Sequence, residues 1–199
     1  MQVAPSATAN EHQEFERDWW STCTTTFGEE AKQLTYAHKM GLINEPRGGH
    51  WPVYDMQGRS VLDIGGGSVS MLLKCVNLGN AVVVDPCPYP DWVTARYEAA
   101  GIELVAGNGE DFRDERVFDE ALLYNCAQHV IDPELIIATA KRQALTLRIF
   151  EWIEKPSSLG HPHTLHADDL NRWIGGTGTV GMVDENGAVG LAYFGCFQL

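Results

Sequence analysis

The 199-residue sequence predicts an α/β domain: a seven-stranded, mostly parallel sheet flanked by helices and ending in an antiparallel hairpin. From residue 59 onward, short apolar segments alternate with segments of helical pattern. Such alternation is typical of parallel strands joined by crossover helices on both faces of the sheet. The last two apolar segments are separated only by residues 184–187, and their Asn186-Gly187 pair is a strong hairpin-turn signal.

A helical extension is predicted to precede this domain. Asn10 is expected to cap a first helix, and a second helix is predicted over residues 29–40 because a glycine follows it. Residues 44–58 are rich in proline and glycine and are predicted to form a loop. We therefore divide the chain into an N-terminal helical extension or lid, residues 1–58, and a main domain, residues 59–199.

Each later element follows from its local composition. The strands are short runs dominated by Val, Ile, Leu and aromatic residues, whereas the helices have spaced apolar positions and several are followed by glycine. Strands are predicted over residues 60–64, 81–84, 102–105, 120–124, 145–152, 177–183 and 188–197, and helices over residues 68–78, 91–100, 133–144 and 167–174.

The charge balance bears on the class of ligand. The formal net charge is -13, and the single adjacent basic pair is Lys141-Arg142. Proteins that bind nucleic acid gain affinity by neutralising phosphates with Lys and Arg. The acidic balance therefore favours a small or neutral ligand over nucleic acid.

The cysteines and the hydropathy indicate a cytoplasmic protein. The five cysteines are odd in number and widely spaced, without a C-x-x-C pair, which argues against a disulfide framework and a structural zinc site. The first residues lack the apolar core of a signal peptide, and no run is long enough to span a membrane. We expect no membrane partner, and the pattern leaves the oligomeric state open.

A glycine-rich turn follows the first predicted strand. Gly65, Gly66 and Gly67 lie between that strand and a predicted helix, where glycine permits a sharp turn and close approach of a ligand. The helix start would also offer free N–H groups to an anion. A simple tight turn is the alternative. Asp85 ends the second strand at the distance expected of a ribose-binding acid, which suits NAD and S-adenosylmethionine equally.

The stretch Val-Leu-Asp-Ile-Gly-Gly-Gly at residues 61–67 resembles the first motif of the class I, Rossmann-like S-adenosylmethionine-dependent methyltransferases. The resemblance covers roughly residues 59–199 and implies S-adenosyl-L-methionine as cofactor. It implies that the glycine loop wraps the methionine part and that Asp63 lies near the amino group of the cofactor. The reversed last strand of that family matches the predicted hairpin.

Further cofactor-binding residues are implied by the same resemblance. Asp85 would accept hydrogen bonds from both ribose hydroxyls, and Pro86 or Cys87 would flank the adenine. Asn108 and Gly109 are similar to the third motif of the family, where Asn108 could accept a hydrogen bond from the adenine amino group. Tyr36 of the extension would reach the methionine carboxylate. Asn125, after the fourth strand, would bond the cofactor or acceptor, or cap the turn.

Two residues are candidates for catalysis. His129 follows the fourth strand, and its ordinary pKa of about 6.5 suits a general base; a structural histidine is the alternative. Glu151 ends the fifth strand, where a buried carboxylate needs a partner, either a substrate group or an arginine such as Arg148. His161, His163 and His166 could bind a metal, but the loop setting favours solvated or substrate-facing histidines, so no metal is predicted.

The predicted function is methyl transfer to a small-molecule acceptor. An NAD-dependent oxidoreductase is an alternative, disfavoured by Asp63 and the hairpin. A non-catalytic S-adenosylmethionine-binding protein is another, and an RNA or protein acceptor stays open.

Residues 85–89 (Asp-Pro-Cys-Pro-Tyr) are similar to a box of DNA amino-methyltransferases. That box follows the fourth strand, whereas here it follows the second, so we interpret it as a turn beside the cofactor.

Overall fold

Two helices begin the part of the chain that the computed structural model describes, residues 9–42, 44–45, 53–185 and 187–199. Helix α1 spans Ala9–Ser21, so Asn10 lies inside its first turn and the predicted cap is wrong. Helix α2 spans Phe27–Lys39 and begins after Thr26, whose hydroxyl donates a 2.8 Å hydrogen bond to Glu30. The predicted second helix is thereby confirmed.

A small sheet occupies part of the region predicted to be a loop. Strand β1 (Asn44–Glu45) pairs antiparallel with β2 (Val53–Asp55), and β2 pairs parallel with β4 (Cys75–Val76). The prediction of an uninterrupted loop over residues 44–58 is therefore wrong at these strands. Residues 46–52 of that segment lie outside the described part.

Seven strands form the main sheet, and in chain order they are β3 (Val61–Ile64), β5 (Ala81–Asp85), β6 (Glu103–Ala106), β7 (Phe118–Tyr124), β8 (Ala144–Trp152), β9 (Thr179–Glu185) and β10 (Ala188–Gln198). Their order across the sheet is β6-β5-β3-β7-β8-β10-β9. The five strands from β6 to β8 are mutually parallel, and β10 is antiparallel to both of its neighbours. This confirms the predicted sheet and its reversed hairpin; Asn186 lies outside the described residues, and Gly187 has a φ of +91°.

Helices cover both faces of this sheet, as predicted. Successive side chains of a strand point to opposite faces, so Leu62 and Ile64 join one core cluster while Val61 joins another. The first cluster includes residues of α4 (Pro133–Gln143) and α5 (Ala167–Ile174). The second includes residues of α2 and of α3 (Asp91–Ala99).

The helix predicted over residues 68–78 is absent. A 3₁₀ helix, Met71–Lys74, stands in its place and leads directly into β4. Ser70 caps this 3₁₀ helix, because its hydroxyl accepts a hydrogen bond from the amide of Leu72. Parallel pairing of β4 with β2 then takes up the backbone that follows, so a 3₁₀ helix and a strand replace the predicted α-helix.

Two further features of the structure concern the cysteines and membrane-spanning helices. All five cysteines are free thiols. Among the residues that the structure describes, no helix combines the length and the apolar character that a membrane crossing requires.

Candidate active site

A cavity of about 560 Å³ opens at the carboxyl ends of β3, β5 and β7, beneath α1 and α2. Open parallel sheets bind their ligands at this edge. The structure brings most predicted site residues to this cavity, but Asp63 and Glu151 lie behind its wall. The predicted residues that line it are Tyr36, Gly65, Gly66, Gly67, Asp85, Pro86, Asn108, Gly109, Asn125 and His129.

The glycine loop is closely packed on one side and open on the other. A Cβ at Gly65 would lie 2.2 Å from the sulfur of Cys126, and one at Gly66 would lie 2.8 Å from a carboxylate oxygen of Asp63. A Cβ at Gly67 would meet no atom within 4 Å, although its φ of +71° itself favours glycine. The loop backbone therefore packs closely against neighbouring side chains at Gly65 and Gly66, whereas at Gly67 no side chain covers it on the cavity side.

Asp63 supports this loop from below and has no exposed surface. Its Oδ2 accepts hydrogen bonds from the hydroxyls of Ser70 and of Tyr124, the latter at 2.7 Å. Its Oδ1 has no hydrogen-bond partner among the described residues. Burial raises the pKa of Asp63 to about 7, against the two hydrogen bonds, which lower it.

Asp85 is the carboxylate that faces the cavity. Its Oδ2 accepts a 3.1 Å hydrogen bond from the Gly67 amide, and its Oδ1 accepts bonds from the Cys87 amide (2.9 Å) and the Tyr89 hydroxyl (2.8 Å). Residues 85–89 therefore form a turn around this carboxylate, as the sequence suggested. Burial raises the pKa of Asp85 although these bonds oppose it.

Two buried carboxylates hold the loop between β7 and α4, which carries Asn125 and His129. Glu151 Oε1 accepts hydrogen bonds from the amides of Cys126 (3.0 Å) and Ala127 (2.9 Å) at the start of the loop. At its other end, Glu110 accepts a 2.9 Å bond from the Ile131 amide. Glu110 was not anticipated as a site residue, although it lies within the motif that contains Asn108.

Glu151 therefore serves the site without lining the cavity. Arg148, its suggested partner, instead donates a 2.7 Å hydrogen bond to Glu120. Burial raises the pKa of Glu151 to about 7, and the two amide hydrogen bonds lower it. The carboxyl group of Glu151 thus binds the amides of the loop that carries His129, and its catalytic role stays a prediction.

His129 lies at the boundary between the sheet and α1. Its Nδ1 is 2.6 Å from the carbonyl oxygen of Gly160 and 3.3 Å from Oε1 of Glu16, while its Nε2 is 3.4 Å from the side-chain nitrogen of Gln128. Burial lowers the pKa of His129, but the hydrogen bond and charge of Glu16 outweigh that effect and raise it. Glu16 was missed because no sequence pattern connects it with His129.

The three loop histidines do not converge on one point. His161 packs against His129 with ring centroids 4.4 Å apart, and Nε2 of His163 is 2.9 Å from the carbonyl oxygen of Val130. His166 pairs with Glu154 at 3.0 Å and makes no capping bond to α5. Within the described ranges, no three His, Cys, Asp or Glu side chains are grouped to hold a metal ion.

The extension contributes aromatic side chains to the cavity. Tyr36 stacks on Phe150 with ring centroids 4.3 Å apart and donates a 2.7 Å hydrogen bond to Glu185. Trp20 meets Tyr89 edge-on, whereas Trp19 is 64% exposed.

Comparison with known proteins agrees with this arrangement. Residues 62–144 match a family model described as a methyltransferase domain. The reversed strand β10 completes a sheet shared with methyltransferases of known structure. The chain has the class I methyltransferase fold. None of the curated proteins matches it in sequence.

Three solved methyltransferases illustrate the likeness. One is a Burkholderia thailandensis 1,6-didemethyltoxoflavin N1-methyltransferase with bound 1,6-didemethyltoxoflavin and S-adenosylhomocysteine (TM-score 0.58, 16% identity, 97% of this chain and 92% of that chain). Another is a possible histamine N-methyltransferase from Thermotoga maritima (TM-score 0.54, 15% identity, 94% of this chain and 97% of that chain). The third is magnesium protoporphyrin IX methyltransferase from Synechocystis PCC 6803 with bound S-adenosylhomocysteine (TM-score 0.56, 9% identity, 92% of this chain and 94% of that chain).

Proposed function

We propose that this protein transfers a methyl group from S-adenosylmethionine to a small-molecule acceptor. The observation that carries the proposal is the convergence of the bare glycine loop and the Asp85 carboxylate on one cavity at the carboxyl edge of the sheet. The methyltransferase fold supports it, and two of the three solved proteins described above contain S-adenosylhomocysteine.

The residues present fit this cofactor. The carboxylate of Asp85 faces the cavity and can accept hydrogen bonds from ribose hydroxyls, while Gly67 leaves space for close approach of a ligand. Asn108, Gly109 and Pro86 lie beside them and would hold the adenine. The cofactor, when bound, supplies a methyl group on a positively charged sulfur.

Asp63 acts through the loop. Its hydrogen bonds to Ser70 and Tyr124 fix the backbone on which the glycines sit, and its buried Oδ1 has no partner among the described residues. Tyr36 of α2 and Asn125, directly after β7, line the cavity together with the glycine loop and His129. We assign them to the cofactor or to its boundary with the acceptor.

His129 is the residue we assign as general base. The side-chain nitrogen of Gln128 is a hydrogen-bond donor, so its 3.4 Å contact assigns Nε2 of His129 as the acceptor. The proton then resides on Nδ1, between the Gly160 carbonyl and Glu16. In this tautomer, the lone pair of Nε2 is engaged by the 3.4 Å Gln128 contact alone, and an acceptor group that displaces Gln128 can give its proton to Nε2.

The dimensions favour a small acceptor. A cavity of about 560 Å³ is the size that encloses one drug-sized ligand, and a nucleoside cofactor takes much of it. The net charge of -13 also disfavours a nucleic-acid acceptor. We propose that residues 1–58 act as a lid over the domain of residues 59–199, with α1 and α2 closing the acceptor end.

Calorimetric titration with S-adenosylmethionine, S-adenosylhomocysteine and NADH tests the cofactor assignment. The first two should bind and the third should not; binding of NADH alone would establish the oxidoreductase alternative. Asp85→Asn should weaken S-adenosylhomocysteine binding by about 10- to 100-fold, because a hydrogen bond to a charged group is worth about 1.5–3 kcal/mol.

A matched substitution controls for altered surface charge. Asp168→Asn lies on the exposed side of α5, outside the cavity lining, and should leave the affinity unchanged. Equal affinities of wild type and Asp85→Asn would refute the assigned cofactor orientation. Binding without methyl transfer to any acceptor would favour the non-catalytic alternative.

A further inference from the structure

The acceptor end of the cavity carries exposed apolar side chains around its mouth. Phe15 and Trp19 of α1 and Leu159 of the loop after β8 all line it, with exposed fractions of 40%, 64% and 51%. Phe15 and Trp19 stack with ring centroids 6.5 Å apart at an interplanar angle of 24°. Exposed apolar surface gathered at one cavity is typical of a ligand-binding surface.

The charged groups at this end balance one another. Glu29 pairs with Lys32 at 2.8 Å, and Glu16 lies 3.3 Å from His129. Arg17 is the further cation of α1 in the lining. This arrangement offers no concentration of one charge to a strongly charged acceptor, so it favours a neutral molecule that gains affinity by stacking.

Glu16 connects the stacked aromatic pair with His129, the candidate base. It comes from the same helix as the stacked pair, and its carboxylate lies beside Nδ1 of His129. A carboxylate at Nδ1 fixes the imidazole tautomer and stabilises the imidazolium that forms when Nε2 takes up a proton. Such a pair suits an acceptor that loses a proton during methylation.

We propose that the acceptor is a neutral, planar aromatic molecule with a weakly acidic N–H or O–H group, which stacks on Phe15 and Trp19 and gives its proton to Nε2 of His129. This inference rests on the proposed methyltransferase function. Glu16 is a positioning residue that acts through His129. The acceptor's nitrogen or oxygen lone pair forms the new bond to the methyl carbon, the carbon–sulfur bond breaks with its electron pair left on sulfur, and the acceptor's proton moves to Nε2.

Binding of model acceptors to protein saturated with S-adenosylhomocysteine tests the substrate class. The probes are 7-hydroxycoumarin and 2-naphthol, which are planar and carry an O–H; 7-methoxycoumarin, which lacks the proton; and cyclohexanol, which is not planar. We expect all three aromatic probes to bind and cyclohexanol not to bind. Failure of every aromatic probe to bind the saturated protein would overturn the proposal.

Substitutions locate the stacking surface. Phe15→Ala and Trp19→Ala should each weaken probe binding about tenfold, with unchanged affinity for S-adenosylhomocysteine. Phe27→Ala is the matched control, because Phe27 is 66% exposed on α2 and does not line the cavity. Wild-type probe affinity in both test variants would overturn the proposed platform.

The role of Glu16 has a spectroscopic readout. Transfer of the 7-hydroxycoumarin proton to His129 produces the phenolate, which absorbs at longer wavelength than the phenol. Glu16→Gln should lower the phenolate fraction of the bound probe, whereas Glu14→Gln, an exposed control on the same helix, should leave it unchanged. An unchanged fraction in Glu16→Gln would refute the positioning role.

The two proposals fail in distinguishable ways. Absence of S-adenosylhomocysteine binding would overturn the methyltransferase proposal, and with it the acceptor class. Binding of S-adenosylhomocysteine that depends on Asp85, together with no binding of aromatic probes, would leave the methyltransferase proposal intact and overturn the acceptor class alone.

Discussion

Replacement of Glu151 by glutamine should remove a pH-dependent destabilisation of the fold. Glu151 has no exposed surface. Its Oε1 accepts hydrogen bonds from the amides of Cys126 and Ala127, whereas its Oε2 has no hydrogen-bond partner among the described residues. Burial raises the pKa of its carboxyl group from 4.5 to about 7, although the two amide bonds oppose the rise. The folded protein therefore holds a proton that the unfolded chain has already released.

The sign and size of the effect follow from this difference. Stability is highest below the unfolded-state pKa of 4.5 and falls as the pH rises through the folded-state pKa of about 7. Each tenfold change in the protonation equilibrium is worth about 1.4 kcal/mol, so ionisation of Glu151 costs the fold about 3 kcal/mol by pH 8. Glutamine is uncharged at every pH and keeps an oxygen to accept the two amide bonds.

Urea unfolding of the ligand-free protein between pH 5 and pH 8 measures this effect. The free energy of unfolding of wild type should decline by about 2–3 kcal/mol more over that range than that of Glu151→Gln, because part of the loss has already occurred at pH 5. Asp63 contributes a decline of the same sign to both proteins and cancels in the comparison. Glu98→Gln, an exposed control on α3, should behave as wild type. Parallel curves for wild type and Glu151→Gln would refute the reasoning.

Two further substitutions test the packing around the site. Gly65→Ala should destabilise the protein by about 1–3 kcal/mol more than Gly67→Ala, because both positions have positive φ but only the first would force a Cβ against Cys126; thermal unfolding measures the difference, and equal losses would contradict it. Tyr36→Phe should cost about 2 kcal/mol in urea unfolding, since it removes the buried hydrogen bond to Glu185. The same change in a Glu185→Gln background should cost less, and an equal cost would show that the carboxylate adds nothing to this bond beyond what an amide oxygen provides.

The order of elements in the main sheet was predictable because each strand has a local signal. Runs such as residues 81–84 are apolar at every position, as required of a strand buried on both faces, and Asn186-Gly187 marked the final reversal. The failure at residues 68–78 has a physical reason. Apolar side chains there suit a helix, but pairing of β4 with β2, a contact outside the local window, satisfies the backbone as strand.

Some residues of the candidate site were likewise predictable from the sequence, and others were not. Asp85 and the glycines follow directly from strands whose ends meet at one edge, so adjacency in sequence was enough to bring them to the cavity. Glu151 was expected at the cavity for the same reason, yet its side chain turns under the neighbouring loop and binds amides. The direction of a side chain at a strand end depends on what packs around it, which strand periodicity does not specify.

The sequence by itself determined the sheet, its reversed last strand and the glycine loop with Asp85, because hydrophobic periodicity and turn residues act over a few neighbouring positions. Only the tertiary structure decided that Glu16 of the first helix pairs with His129, that Phe15 and Trp19 border the same cavity, and that the loop histidines separate. These contacts join segments distant in the chain. They depend on how α1 lies over the sheet edge, which side-chain packing determines and no local pattern encodes.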